Sequence, residues 1–306
     1  MAIDLIGRCK WLLLTTICLL ATFLFTACGS ATQLTQPTTQ TVLGFQTSNF
    51  TVTTADGRVR SYIVYAPPGN AKRPLVLVFH GAEDTAESTV QETDFLQAAD
   101  QSGFVVAFLQ GYEKTWNEGA GHTPAEVAHV NDVEFTSDAL TQIEQHYSID
   151  RTRIAAAGLS NGALLTELLG CRLAERLTLI APVAGQLPAS VSPTCRPPRP
   201  ISVLEMHGTA DQTIPYAGGP FVGIGGGTTV LSAPASAARW ASLDGCSSSR
   251  RTLDTALATV LTTYSACHKR VVVELRSLQG AGHAWPADVG VLVAEFLHQH
   301  PGAPAT

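Results

Sequence analysis

From residue 74 onward, short unbroken apolar runs alternate with amphipathic segments, and this exchange limits the fold more than any other feature of the chain. "PLVLVFH" from Pro74 is apolar throughout, as a strand covered on both faces must be, whereas "ESTVQETDFLQAADQSG" from Glu87 has helical spacing and ends on Gly103. "FVVAFL" is again strand-like, "NDVEFTSDALTQIEQHY" helical, and "TRIAAAG" strand-like. A helix then opens at Ser160, followed by the strands "LTLIAPVAG" and "ISVLEMHG", a helix over Ala233 to Leu243, the strand "RVVVELRSL", and a last helix from Asp288 to His298. The alternation predicts an α/β fold: a mostly parallel sheet with helices on both faces, its sites at the carboxyl ends of the strands. With 306 residues, 45% of them hydrophobic, the chain can fill the core of one such domain.

Ahead of this region, "NFTVTTADGRVRSYIVYAP" alternates about an "ADG" turn and predicts an antiparallel hairpin of two edge strands. Residues 28–48 are Thr- and Gln-rich, and no charged residue stands between Lys10 and Asp56. They are read as a flexible tether, and the catalytic domain as 49–306. Residues 1–27 have the form of an export signal, with Arg8 and Lys10 before the apolar run "WLLLTTICLLATFLF". The end of that run, "FTACGS", resembles the lipidation box of bacterial lipoproteins, which would make Cys28 the acylated N-terminus. It departs from that box in having Phe25 where Leu is usual, with Leu24 one place early. The resemblance implies an exported lipoprotein at the cell surface or in the periplasm, held to the membrane by its lipid alone; ordinary secretion is the alternative.

Of seven cysteines, Cys9 and Cys18 would leave with the signal and Cys28 would carry lipid. Cys171, Cys195, Cys246 and Cys267 remain, an even set in an exported chain, which predicts two disulfides. Three connectivities are possible. Sequential pairing, Cys171 with Cys195 and Cys246 with Cys267, closes the shortest loops and is the one expected. None of the four forms a C-x-x-C pair, so zinc is disfavoured. A net charge of −6 with scattered acids offers no basic stripe, and nucleic acid is excluded as a partner.

The candidate chemistry begins at "GLSNG", where Ser160 lies between two glycines after a strand and before a helix. In a strand-to-helix elbow such a serine is lifted above the sheet, and flanking side chains would collide with neighbouring elements. A serine before a helix also serves often as an N-cap only. Three further places favour catalysis, because a serine nucleophile needs a base, an orienting acid and donors for the oxyanion. Asp211 in "HGTADQTIPY" follows the strand "ISVLEM"; His283 in "GAGHAWP" follows the last strand of the sheet; "VFHGAED" ends an early strand. Ser160, Asp211 and His283 are thus expected as nucleophile, acid and base, with Ala82 and Asn161 as oxyanion donors. Glu205 lies within a strand and is worse placed for the acid. His80 and His207 are expected to brace their loops through ring hydrogen bonds.

The set "HG" at His80, "WNEG" at Trp116, "VNDVEF" at Val130, "GLSNGA" at Gly158, "HGTADQTIPY" at His207 and "GHAWP" around His283 resembles the exported polyhydroxybutyrate depolymerase and feruloyl esterase family of α/β-hydrolases. The resemblance covers nearly everything after the tether. It implies a serine ester hydrolase of α/β-hydrolase fold acting through an acyl-enzyme, without metal or organic cofactor, on small-molecule or oligomeric esters. Two departures touch the substrate: Ala82 stands where polymer-degrading members often have Cys, and Asn131 replaces the first acid of the family's "DDV". Trp116 and Trp285 are expected as walls for the acyl group. The stretch "AGGPFVGIGGGTT" from Ala217 fits neither G-x-G-x-x-G nor a P-loop and is read as a mobile rim to the cleft. Soluble short-chain, hydroxycinnamoyl and hydroxyalkanoate esters are the expected substrates. An exported serine peptidase of the same fold and a non-catalytic surface-binding protein are the alternatives.

Overall fold

Three antiparallel strands begin the structure, a computed structural model that describes residues 37–119 and 123–302: β1 (Thr38–Val42), β2 (Phe45–Thr53) and β3 (Val59–Tyr65). The signal segment and Cys28 lie outside the described residues. The β2–β3 turn carries the expected "ADG", with Gly57 at φ 80° and the Asp56 carboxylate accepting from the Thr54 hydroxyl and the Arg58 amide. The boundary of the tether moves, however. Residues 38–48 hold β1, a two-residue turn and the start of β2, paired Thr38 with Asn49 through Val42 with Phe45, because a Thr-rich run suits a pleated surface once a partner strand is present. The edge strand at this end is therefore β1.

The expected alternation follows as β4 (Arg73–Phe79), α1 (Ala86–Glu92), α2 (Phe95–Ser102), β5 (Val105–Leu109), the short α3 (Pro124–Val127), α4 (Asp132–His146), β6 (Ile149–Leu159), α5 (Asn161–Leu173), β7 (Leu179–Val183) and β8 (Ser202–Gly208). Where one helix was expected over 87–103 there are two. Thr93 turns extended, and the Asp94 carboxylate instead accepts from the Gly290 and Val291 amides at the start of the last helix. The chain continues through β9 (Gly219–Gly223), β10 (Gly226–Val230), α6 (Ala233–Leu243), β11 (Ser248–Asp254), β12 (Thr259–Ser265), β13 (Val273–Leu278) and α7 (Val289–Gln299).

One sheet of order β1-β2-β3-β5-β4-β6-β7-β8-β13-β12-β11 results, parallel from β5 to β13 and antiparallel beyond both ends. Within β4, Leu75, Leu77 and Phe79 pack with Phe135 of α4, Leu165 of α5 and Trp240 of α6, while Val76 and Val78 pack with Phe95 of α2 and Val293 of α7. The period-two alternation of one buried strand thus feeds two apolar layers, each such side chain contributing about 1.5–3 kcal/mol. The β11–β12 hairpin went unread in the sequence because "SSRRTLD" is exposed almost throughout and carries no buried face.

Cys171 in α5 is bonded to Cys195, and Cys246 to Cys267, the sequential pairing expected. Among the described residues no helix is long and apolar enough to cross a membrane.

Candidate active site

The turn between β6 and α5 holds Ser160 at φ 56° and ψ −120°, a region that side chains rarely adopt. Close packing explains the two glycines around it. A Cβ on Gly158 would lie 2.2 Å from the Gly162 carbonyl oxygen, and one on Gly162 would lie 2.4 Å from the Phe79 carbonyl oxygen. Although Ser160 precedes α5, its side chain makes no capping hydrogen bond, so the hydroxyl is not consumed by the helix end. The strained backbone is instead anchored by the Ser160 amide, which donates to Val183 O at 3.0 Å.

Two loops bring the acid and the histidine together. Gly208 ends β8 against the loop after β13, so closely that a Cβ there would lie 2.3 Å from the Ala281 carbonyl oxygen. Past it, Asp211 is nearly buried. Its Oδ1 accepts from the Thr213 and Ile214 amides at 2.8 and 3.0 Å, and its Oδ2 accepts from His283 Nδ1 at 2.8 Å. Burial pushes the Asp211 carboxyl up, but hydrogen bonds from His207 and His283 and from the Thr213 amide outweigh it and hold the group well below the usual carboxylate range. An ionised Asp211 fixes the Nδ1 proton of His283 and leaves Nε2 as the basic nitrogen. His207 and His80 are braces, as expected. His207 Nε2 donates to Ile214 O at 2.9 Å, and His80 Nε2 accepts from the Gly111 amide at 2.9 Å. Glu205 is wholly buried within β8.

Ser160 and His283 open on one cavity of about 450 Å³, which Ala82 and Asn161 also line. Its apolar wall is made by Leu164, Ile214, Phe221, Val222 and Ile224. The last three belong to the Gly-rich stretch, which forms the rim as the two-stranded β9–β10 hairpin, registered from Gly219 with Val230 to Gly223 with Gly226. Val222 is 83% exposed at its tip.

Neither tryptophan lines this cavity. Trp116 is 0% exposed, its ring edge-on to Phe79 at 5.3 Å, and Trp285 packs against Phe95 at 6.1 Å in the layer under α2 and α7. Large rings gain by leaving water: Trp116 is drawn wholly into the core, and Trp285 is partly buried against it. Trp116 has a second office that sequence reasoning missed. Its Nε1 donates to His80 O at 2.9 Å, and its backbone N–H donates to Asn161 Oδ1 at 2.7 Å. It therefore joins the loop that carries Ala82 to the first turn of α5. Asn117 continues the brace, its amide donating at 2.7 Å to Asp132, which is paired with Arg60 at 2.7 Å. This contact ties "WN" to "NDV". Glu118, next in the chain, lines the cavity and bonds to Asn161; a single acid in "WNEG" gave no signal of that. Among the described residues no group of three or more His, Cys, Asp or Glu is placed to hold a metal ion.

Residues 60–187 match the family described as Esterase PHB depolymerase. Feruloyl esterase B of Piromyces equi is 30% identical over 235 residues, 74% of this chain and 42% of that protein. A bifunctional acetylxylan esterase/xylanase of Neocallimastix patriciarum is 28% identical over 161 residues, 52% of this chain and 22% of that protein. The chain spans less than half the length of either relative. Among solved structures, an acetyl xylan esterase from Aspergillus awamori shares the fold at TM-score 0.60 and 15% identity, over 82% of this chain and 99% of that one. The fold is that of the α/β-hydrolases.

Proposed function

Because this chain belongs to the polyhydroxybutyrate depolymerase and feruloyl esterase family of α/β-hydrolases, we propose that it is a serine carboxylic-ester hydrolase working through an acyl-enzyme. The observation that carries the reading is the strained, uncapped Ser160 opening on the same cavity as a His283 whose Nδ1 is held by an ionised Asp211. In the proposed reaction His283 Nε2 takes the hydroxyl proton as Ser160 Oγ attacks the ester carbonyl. Asp211 stabilises the imidazolium, and the Ala82 and Asn161 amides receive the oxyanion. The proton passes to the departing alcohol. Water, deprotonated by the same histidine, then releases the acid.

A cavity of about 450 Å³ with an apolar hairpin wall suits a short acyl chain, a hydroxycinnamoyl group or a hydroxyalkanoate unit better than a long acyl chain. Its place under an exposed hairpin tip favours soluble esters over crystalline polymer. Two disulfides are in keeping with an oxidising compartment, and export as a lipoprotein acylated on Cys28 completes the proposal. The test is labelling by a fluorophosphonate, mapped by mass spectrometry, together with turnover of a panel of p-nitrophenyl and methyl hydroxycinnamate esters. Label on Ser160 that is lost in Ser160→Ala together with turnover is expected; ester hydrolysis surviving in the pure Ser160→Ala variant would overturn the assignment.

A further inference from the structure

Glu118 faces the cavity that holds Ser160, yet it is 2% exposed. Its Oε2 accepts from Asn161 Nδ2 at 2.9 Å. The same Asn161 amide accepts the Trp116 N–H at 2.7 Å through Oδ1 and reaches Trp116 O at 3.3 Å through Nδ2. Three bonds therefore hold the side chain of the residue directly after the nucleophile, and Glu118 supplies the one that comes from another side chain. With its side chain held at both polar atoms, Asn161 has little freedom to shift, and the backbone N–H proposed above as an oxyanion donor is restrained with it.

The surroundings of Glu118 disfavour a second negative charge. Glu126 approaches from α3 and Asp132 from α4, while Glu83 faces the cavity from the loop after β4. The nearby cationic or protonatable groups are already engaged: Arg60 of β3 with Asp132, and His283 of the loop after β13 with Asp211. Burial first, then Glu126 and Asp132, push the Glu118 carboxyl up to about 8, against the opposing hydrogen bonds of its own backbone amide and of Asn161.

We propose that Glu118 is a positioning residue of this site: through the Asn161 amide it fixes the backbone N–H beside the nucleophile, and its ionisation sets the alkaline limit of the reaction. The inference rests on the ester-hydrolase reading above. While neutral, Glu118 holds Asn161 without placing charge beside the developing oxyanion. Once ionised, it puts a carboxylate against the residue that receives that oxyanion, and an acyl group entering the cavity must dry that carboxylate. Binding of the transition state and loss of the Glu118 proton then oppose one another. The expected result is a fall in kcat/KM of about tenfold per pH unit above the Glu118 pKa.

The experiment is a pH-stat profile of kcat and KM on ethyl butyrate, from pH 6 to 10, for the full chain and two variants, with melting temperature as the check on folding. Glu118→Gln keeps an acceptor for Asn161 and cannot ionise, so it is expected to retain kcat/KM at pH 7 within about threefold and to lose the alkaline limb. Glu118→Ala frees Asn161 and is expected to lower kcat by about tenfold to a hundredfold at pH 7, with KM moved little. An alkaline limb that stands unchanged in Glu118→Gln would overturn the inference, as would full kcat in a folded Glu118→Ala. Should the alanine variant fail to fold, the glutamine profile decides alone. Failure of the ester-hydrolase reading looks different: a wild-type Ser160 that no fluorophosphonate labels, which would remove both.

Discussion

Trp116→Phe separates a substrate wall from a structural brace, because the two roles predict opposite results. Phenylalanine keeps an aromatic ring against Phe79 and removes the indole N–H that donates to His80 O at 2.9 Å. His80 is 0% exposed, so its carbonyl is left without that donor in a dry site, at a cost of about 1–3 kcal/mol. Replacing the bicyclic ring by a smaller one adds roughly 1–2 kcal/mol of lost packing. For a domain of this size each kcal/mol moves the melting temperature by about 2–4 °C, so a drop of about 4–20 °C is expected. The same bond ties the loop of Ala82 to the turn of Asn161, and displacing reacting groups by about 1 Å costs up to a hundredfold in rate. Because Trp116 does not line the cavity, the loss should fall on kcat and be uniform along a series of esters from acetyl to octanoyl. Calorimetry and steady-state kinetics across that series make the measurement. An unchanged melting temperature, with KM shifts that grow with acyl length, would refute the brace and restore the wall.

Asp211→Asn preserves shape but not charge, and both backbone bonds to Oδ1 can survive it; kcat on a short ester is expected to fall by about 10³–10⁴ with KM nearly unchanged, and a loss below tenfold would remove Asp211 from the proposed triad. Phe221→Ala, on the hairpin wall, should raise KM for butyryl and hydroxycinnamoyl esters more than for acetyl; equal effects on all three would mean that the hairpin does not meet the acyl group. Replacing Cys171 and Cys195, 24 positions apart, by alanine should destabilise the oxidised protein by about 3–4 kcal/mol if chain entropy dominates, read as a lowered denaturant midpoint. An unchanged midpoint would place the effect of the bond elsewhere.

The parts of the fold legible in the sequence were those whose cause is local. β4 could be read because "LVLVF" must be apolar on both faces to lie under two helical layers, and the structure sends its alternate residues to each. The elbow could be read because a serine at φ 56° in the turn between β6 and α5, close against β4, admits almost nothing but glycine at 158 and 162. Where the determining contact was a partner strand rather than a pattern within the segment, the reading drifted. Thr38 to Ser48 looked like tether because the run shows no apolar alternation; the pairing of β1 with β2 across the turn at Leu43 and Gly44 makes most of it strand. The Gly-rich stretch reads only as a rim because its apolar residues are few, yet Phe221, Val222 and Ile224 suffice to wall a cavity once β9 and β10 pair.

The misplacement of Trp116 and the silence of Glu118 have one physical origin. A sequence pattern ranks residues by type, and by type a tryptophan beside an expected active site suggests a surface for substrate. Free energy ranks them by what they leave in water. An indole gains from complete burial only if its N–H finds an acceptor, and the acceptor that Trp116 finds, His80 O, belongs to the loop that must be held. Its backbone amide then meets Asn161, and Asn161 meets Glu118. In this way the requirement that buried polar groups be satisfied runs from a core residue into the wall of the cavity. No spacing rule contains that path, since 116, 118 and 161 are brought together only by the closure of the sheet. It follows that polar side chains bonded to the residue after a nucleophile, rather than aromatic residues near it in sequence, are the places where substitutions in this chain should change rate without changing which ester is chosen.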